Sequence, residues 1–142
     1  MTIAAILNSK GHEVVTIPAG ARVREAVALL AERRIGAVPV VEGGSVAGVF
    51  SERDVIYALA AEGASALDKT VGEAMTAPAV TVEPKDAALS ALSLMTRRRV
   101  RHLPVLDGGR MIGVVSIGDL VKYRSDRIEA DAAAMRDYIQ SA

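Results

Sequence analysis

Apolar residues recur at helical spacing in two long stretches of this chain. Val23, Val27 and Leu30 are separated by three or four positions, with charged residues between them. This spacing predicts an amphipathic helix over about residues 22–34, and the same spacing predicts a second helix over about residues 86–98. Each helix therefore has an apolar face that must cover other elements, and short β-branched runs beside both helices point to sheets.

Two pairs of short apolar runs surround glycine-rich turns and predict β-hairpins. The first pair is Ala37–Val41 and Val46–Phe50, and the second lies within residues 102–115. Pro39 has no amide hydrogen, which favours an edge or outward-facing position. The other predicted elements are a leading helix at 2–8, strands at 14–17 and 80–82, helices from Ser51 and Ser116, a linker at 61–69, a leading turn at 70–75 and a last helix after Ser125.

The order of these elements repeats because the sequence itself repeats. Residues 14–56 align with residues 79–121 at a constant offset of 65, and 14 of the 43 pairs are identical. The first copy has three more residues than the second between its leading helix and its first strand. Units of roughly sixty residues are marginal as separate cores, so we expect the two copies to pack on each other as one pseudo-symmetric body.

Composition and charge exclude several classes of function. Lys plus Arg equals Asp plus Glu at 17 each, so no overall field attracts the chain to nucleic acid or an anionic membrane. Cysteine is absent, which excludes thiol catalysis and thiolate metal sites. No apolar run is long enough to span a membrane, and the first residues do not resemble a signal peptide, so we expect a cytoplasmic protein.

The best candidate for chemistry is a Ser-x-x-Asp motif that occurs once in each copy. Ser51 and Asp54 follow one hairpin, and Ser116 and Asp119 follow the other. Such a pair can simply be a capping box that holds a helix N-terminus. The same position also suits a ligand, because a helix N-terminus attracts phosphate and a carboxylate can accept both hydroxyls of a ribose. The two interpretations are compatible, and the residues alone leave both open.

The duplicated motif, together with Ala37–Val41 and His102–Leu106, resembles the cystathionine β-synthase (CBS) domain pair, or Bateman module. The resemblance covers residues 2–123. It implies an α/β (α+β) fold of two pseudo-symmetric repeats, each β-α-β-β-α with a leading helix, at 1–64 and 65–123. Residues 124–142 would add a C-terminal amphipathic helix.

The resemblance also implies two clefts, each built from both repeats, that bind adenosine ligands. Cleft A is expected to contain Ser51, Arg53, Asp54, Thr70, Met75, Arg101, His102 and Leu103. Cleft B is expected to contain Thr2, Leu7, Gly36, Ala37, Val38, Ser116, Gly118 and Asp119. Only cleft A gathers basic residues, so we expect it to dominate for phosphorylated ligands, with Glu52 as an opposing charge. Arg97–Arg99 suit either a solvated helix end or a ligand contact.

We therefore predict a non-catalytic regulatory module that binds AMP foremost, with ADP, ATP or NAD(H) as alternatives. No metal site is expected, since His12 has no set of ligands in sequence. No catalytic residue or catalytic cofactor is expected, since Ser51 and Ser116 lack a nearby histidine in sequence and no nucleophile elbow is present. The competing interpretation is an assembly or scaffold module without a ligand, whose motifs are only helix caps. The stripe Ile128, Ala132, Met135 and Ile139 has no partner in either repeat, so it either caps the core or contacts another subunit. The resemblance implies association of two CBS pairs into a four-repeat disc, and together with the stripe it predicts a homodimer. The regulated protein is not visible in the sequence.

Overall fold

The computed structural model describes residues 1–141, and the first copy has the predicted order of elements. Both hairpin strands are present, and the linker forms a 3₁₀ helix at Gly63–Asp68. The elements are α1 (Ile3–Lys10), β1 (Ile17–Pro18), α2 (Val23–Arg33), β2 (Ala37–Glu42), β3 (Ser45–Ser51) and α3 (Glu52–Glu62).

The second copy repeats this order with shorter leading elements. The predicted strand at 80–82 contributes only one bridge, in which Val82 pairs in parallel with Val105. The elements are α4 (Val71–Ala74), α5 (Ala88–Arg98), β4 (His102–Asp107), β5 (Arg110–Ser116) and α6 (Ile117–Ser141). The mixed α/β architecture of two repeats is thus confirmed.

The last helix does not begin afresh after Ser125, as the sequence suggested. Helix α6 is continuous from Ile117 to Ser141, so the helix of the second repeat and the C-terminal helix are one element. No glycine or proline occurs between Lys122 and Ser141 to interrupt the helix. Residue 142, which the prediction included, lies outside the described residues.

The two repeats exchange their leading helices. Ile3, Ile6 and Leu7 of α1 are buried in the core of the second repeat, together with Leu103 and Val115. Conversely, Val71 of α4 is buried in the core of the first repeat, with Val38 and Phe50. The boundary predicted between residues 64 and 65 therefore divides the sequence copies but not the packing units, because each core is completed by a segment from the other copy.

A glycine in each second hairpin strand permits this exchange. A Cβ at Gly48 would lie 2.6 Å from the carbonyl oxygen of Thr76 and 2.8 Å from the sulfur of Met75. The equivalent Cβ at Gly113 would lie 2.8 Å from a methyl carbon of Leu7. Side chains at these positions would hold the exchanged segments away from the sheets, so the duplicated glycine has a packing role.

Pro39 lies in a central strand, which corrects the predicted edge position. The first sheet has the order β1-β2-β3, and Pro39 is buried in β2. Strand β1 is only two residues long and pairs with Val40 and Val41, beyond Pro39. The ladder therefore needs no amide hydrogen from the proline on that side, and the interior position is tolerated.

Candidate functional site

Both Ser-x-x-Asp motifs form the predicted capping boxes. The Asp54 carboxylate accepts a hydrogen bond from the Ser51 amide at 2.9 Å, and the Asp54 amide donates to the Ser51 hydroxyl at 3.4 Å. In the second repeat the corresponding distances between Ser116 and Asp119 are 2.8 and 3.1 Å. The boxes hold both carboxylates at the first turns of α3 and α6, where each can face a cleft between the repeats.

Cleft A is a cavity of about 270 Å³ between the first turn of α3 and two segments of the second repeat. Apolar side chains form one part of its wall, and arginines form another. Its lining consists of Gly36, Ala37, Val49, Ser51, Glu52, Arg53, Asp54, Tyr57, Thr76, Pro78, Ala79, Val80, Arg98, Arg99, Val100, Arg101 and His102. Both repeats are therefore needed to build it.

Asp54 is held rigidly on the wall of cleft A. Its side chain is 8% exposed, and one carboxylate oxygen, Oδ2, accepts from the Ser51 amide and hydroxyl. The other oxygen, Oδ1, accepts from the Thr76 hydroxyl at 2.9 Å. A carboxylate oxygen can accept two hydrogen bonds, so Oδ1 retains capacity for a ligand hydroxyl. Thr76 was absent from the predicted site, although its position next to Met75 could have suggested it.

Two arginines cross cleft A and are already engaged. Arg53 donates from Nη1 to the carbonyl oxygen of Arg99 at 2.9 Å, and Arg101 pairs with Glu52 at 3.0 Å. The Glu52 carboxylate thus opposes the attraction of cleft A for anions, as the sequence suggested. A guanidinium has five N–H donors, so both arginines keep donors for a phosphate.

His102 adds no positive charge to this wall at neutral pH. Its ring is largely buried, and burial, followed by the charges of Arg101 and Lys10, lowers its pKa below the usual histidine value. The expected basic character of cleft A thus depends on arginines. Arg98 and Arg99 also line the cavity, which favours the ligand-contact interpretation for these two residues.

Three residues predicted for cleft A lie elsewhere. Thr70 caps α4 and donates its hydroxyl to Glu73, away from the cavity. Met75 contacts the position of Gly48, and Leu103 is fully buried in the second core. The leading segment reaches the cavity only after residue 75, and ligand contacts by Thr70, Met75 and Leu103 stay predictions.

Lys10 pairs with the carboxylate of cleft B, and no residue pattern had predicted this. Its ammonium nitrogen lies 2.6 Å from Oδ2 of Asp119 and 2.7 Å from the carbonyl oxygen of Val114. One cavity of about 480 Å³ remains on the Ser116 side and another of about 460 Å³ on the Asp119 side, both more open to solvent than cleft A. The capping serine and its carboxylate therefore line separate cavities.

The Lys10 contact stabilises the ionised form of Asp119. Partial burial opposes ionisation, but the hydrogen bond from Lys10, those from Ser116 and the charge of Lys10 outweigh it, and the pKa of Asp119 lies below its usual value. The carboxylate that would bind a ribose in cleft B is thus ionised and already paired with a cation.

The other residues predicted for cleft B are dispersed. Gly36 and Gly118 line the cavity on the Ser116 side, but Ala37 lines cleft A instead. Val38 and Leu7 are fully buried in the two cores, and Thr2 caps α1. Alternate residues of a strand and the inner face of a helix point into the core, so Val38 and Leu7 offer no side chain to a cavity. Ligand contacts by the residues predicted for cleft B stay predictions.

Within residues 1–141, no group of three or more His, Asp or Glu side chains is arranged to hold a metal ion. Among the same residues, no helix combines the length and apolar character needed to cross a membrane.

Comparisons with known proteins agree with the duplicated architecture. The family model described as "CBS domain" matches residues 7–61 and again residues 71–126. The CBS domain-containing protein CBSX3, mitochondrial, of Arabidopsis thaliana is 33% identical over 98% of this chain and 72% of its own length.

Two solved structures extend the agreement to three dimensions. The CBS-domain containing protein ATU1752 of Agrobacterium tumefaciens is 38% identical, with a TM-score of 0.84 over 87% of this chain and 99% of that protein. CBSX2, solved in complex with AMP, is 25% identical, with a TM-score of 0.71 over 80% of this chain and 89% of its own. With the family model matched in both halves and a fold shared with these proteins, the chain belongs to the CBS domain family.

Proposed function

We propose that this protein is a non-catalytic sensor that binds an adenine nucleotide in cleft A, with AMP as the foremost ligand and ADP, ATP or NAD(H) as alternatives. The observation that carries the proposal is the construction of the cavity from both repeats. Asp54 comes from the first repeat, whereas Val80 and Arg98–Arg101 come from the second. A ligand there contacts both halves and can change how they pack.

The lining of cleft A has suitable groups for each part of AMP. The free acceptor capacity of the Asp54 carboxylate suits a ribose hydroxyl, and Arg53, Arg98 and Arg101 offer donors to a phosphate. Val49 and Pro78 offer apolar surface for a purine ring. Support also comes from CBSX2, the relative that was solved with AMP.

In this proposal cleft B of the native protein binds a nucleotide too weakly to count as a second site. A ribose would have to displace the Lys10 ammonium from Asp119, at 2.6 Å, and would also leave the Val114 carbonyl oxygen without that donor. A charge-assisted hydrogen bond is worth about 1.5–3 kcal/mol, and less here because both side chains are partly exposed. We expect one AMP per chain.

One observation favours the competing function, a scaffold module without a ligand. Both Ser-x-x-Asp motifs already serve as helix caps, so nucleotide binding is not required to explain them. The scaffold interpretation explains the contacts of Arg53 and Arg101 but gives no reason for four arginines to line one cavity with Asp54.

Equilibrium binding to the purified chain separates the two functions. We expect calorimetry to give a saturable AMP isotherm with one site per chain, and weaker binding of GMP. Titrations with ATP and NADH would identify the preferred adenosine ligand. Absence of binding by AMP, ATP and NADH alike would overturn the sensor proposal in favour of the scaffold module.

We further propose that the working unit is a homodimer. Large apolar side chains are exposed on three helices, including Ile56 on α3 at 62%, Leu89 on α5 at 62% and Val121 on α6 at 51%. Surfaces of this kind favour association of subunits. Light scattering of the purified chain should give twice the monomer mass, and a monomer mass at all accessible concentrations would contradict the proposal.

A further inference from the structure

Helix α6 has an apolar stripe that faces away from the body of the protein. Its positions alternate in spacings of four and three residues: Val121, Ser125, Ile128, Ala132, Met135 and Ile139. Helical geometry puts this α6 stripe on the side opposite to Tyr123 and Asp126, which line a cavity together with α1. Ile128, Met135 and Ile139 are 59%, 60% and 65% exposed.

The α6 stripe extends beyond the second of the two CBS domain matches. The family model ends at residue 126, whereas α6 continues to Ser141. The end of the stripe therefore needs an explanation that the CBS domain itself does not provide.

Alternating spacings of four and three are the pattern of a two-stranded coiled coil. Ser125, Ala132 and Ile139 occupy one core position of the heptad, and Val121, Ile128 and Met135 occupy the other. The stripe spans fewer than three heptads, so an isolated peptide would not pair stably. In the whole chain, the first half of α6 packs on the body and presents the second half as a preformed helix.

The charges that flank the α6 stripe identify a second copy of the same helix as the partner and specify its direction. In a parallel pair, the residue before one core position faces the residue five places later on the other helix. Arg124 of one copy then faces Glu129 of the other, and Asp131 faces Arg136. Both combinations have opposite charges, and two-fold symmetry produces each of them twice.

An antiparallel pair would bring like charges together. In the register that aligns the stripe with itself, Lys122 would face Arg136, Glu129 would face Glu129, and Asp131 would face Asp131. Within the single chain, Asp131 lies 3.6 Å from Arg127, but both side chains are more than half exposed. Such a pair is weak and leaves Asp131 available to a second helix.

We propose that the α6 stripe pairs in parallel with the same stripe of a second copy. This pairing sets the two chains of the dimer side by side in the same direction. This inference rests on the proposed homodimer but not on nucleotide binding. It adds to the dimer a specific contact, a register and an orientation.

Complementary charge variants of the full chain test the contact. One variant is Arg124→Glu with Asp131→Lys, and the other is Glu129→Lys with Arg136→Glu. In each variant alone, like charges face each other in the parallel pair, so we expect the dissociation constant of the dimer to rise on the order of tenfold or more. A mixture of the two variants restores opposite charges at all four contacts and should form heterodimers at the native affinity.

Analytical ultracentrifugation of each variant and of the mixture provides the readout, with circular dichroism to verify that α6 remains helical. Recovery of association only in the mixture supports the proposal. Dimers of unchanged affinity in both single variants would overturn the α6 contact while leaving the homodimer intact. A native chain that is monomeric throughout would overturn both, and AMP calorimetry would report separately on the sensor function.

A cysteine substitution tests the direction of pairing. The chain has no cysteine, so any disulfide must form at the introduced residue. In the parallel pair, Met135 faces Met135, within reach of a disulfide, and Met135→Cys should give a covalent dimer under mild oxidation. In the antiparallel register Met135 would face Ser125 and no such bond could form. Ala134→Cys, one residue outside the stripe, is the matched control, and equal crosslinking of both variants or of neither would overturn the parallel arrangement.

Discussion

The two clefts derive from the same duplicated segment, yet their carboxylates have different partners. In cleft A the Thr76 hydroxyl donates to Asp54, and a neutral donor leaves the site open. In cleft B the Lys10 ammonium binds Asp119, so a cation already occupies the carboxylate. Because both carboxylates remain helix caps, the structural role was retained in both copies while the neighbouring residue changed. A Ser-x-x-Asp motif by itself therefore does not indicate an open ligand site.

The difference arises from the one change in length between the copies. Helix α1 has eight residues, whereas α4 has four. Counted from their capping threonines, Thr2 and Thr70, the position of Lys10 corresponds to that of Pro78, which lines cleft A. The longer helix therefore ends with Lys10 at the position where the second copy has Pro78. Four predictions follow from this comparison.

The largest effect is expected from removing the carboxylate of the open cleft. Asp54→Ala should weaken AMP binding roughly ten- to a hundredfold, because a hydrogen bond from the ribose to a charged group is lost. Asp119→Ala is the matched control, since it also removes a capping carboxylate, at a cost of about 1 kcal/mol of stability. It should change AMP affinity by less than about threefold. Calorimetry and melting temperatures of both variants provide the measurement, and the reverse order of affinities would assign the nucleotide to cleft B.

Alanine substitutions at the two equivalent glycines, Gly48 and Gly113, should differ in their effect on the stability of the fold rather than on AMP binding. Gly48→Ala meets a backbone carbonyl oxygen at 2.6 Å, which can move only with the exchanged segment. We expect a loss of about 2–3 kcal/mol in the free energy of unfolding. Gly113→Ala meets the end of the Leu7 side chain and should cost about 1 kcal/mol. Urea unfolding measures both, and equal losses would show that backbone contact is not the source of the difference.

Opening cleft B is the third test of the comparison. Lys10→Met keeps much of the side-chain length but removes the charge, so Asp119 becomes available and a second, weaker AMP should bind each chain. The affinity of this second site for AMP should be about tenfold higher than in the native chain. That factor corresponds to a charge-assisted hydrogen bond that is weakened because both side chains are partly exposed. Lys10→Arg is the control that keeps a cation near Asp119 and should retain one site. Calorimetric stoichiometry distinguishes the outcomes, and one site in Lys10→Met would mean that something else closes cleft B.

The same variant should also change acid stability. The folded pKa of Asp119 is lowered, so its contribution to stability is fully present above the ordinary carboxyl pKa of about 4 and is lost as the pH falls through the lowered value. Lys10→Met should therefore be less stable than the native chain above about pH 4, and the difference should disappear as the pH falls through the lowered value, which urea unfolding at several pH values would measure.

The smallest effect concerns the charge balance within cleft A. Glu52→Gln releases Arg101 from its pair and removes a negative charge, so AMP affinity should rise severalfold, and more at low ionic strength. The exposed pair itself contributes well under about 1 kcal/mol, so folding should be unaffected. Glu62→Gln disrupts the comparable 2.9 Å pair with Lys69, which does not line the cavity, and should leave AMP affinity unchanged. Equal effects of the two substitutions would point to a general charge effect.

Local patterns predicted most of the fold. The helical spacing around Val27 and the glycine turns yielded α2, α5 and both hairpins within a few residues of their observed ends. The predicted break near Ser125 was wrong because a short run of polar residues does not end a helix. The exchange of α1 and α4 could not be read from periodicity, since Ile3 and Leu7 indicate a buried face without indicating which core buries it.

The candidate site was predictable only where local geometry determines it. The capping boxes were predicted because both partners lie three residues apart. Lys10 and Asp119 are 109 residues apart, and a lysine at a helix end is normally a solvated residue that complements the helix dipole. Thr76 is likewise an ordinary loop residue in the sequence, and only the folded chain places it against β3 and beside Asp54. Contacts between distant segments therefore determine whether the carboxylate of a cleft is open to a ligand or paired with a lysine.

The exchanged leading helices also have a consequence for the order in which the chain is completed during synthesis. Helix α1 is among the first segments made, but its apolar face stays exposed until β4, β5 and the start of α6 have been made, more than ninety residues later. The first core is completed earlier, once Val71 has been made. A nascent chain halted after α4 should therefore have one finished core and one exposed helix, and the second core closes only when the oldest helix of the chain docks against the newest.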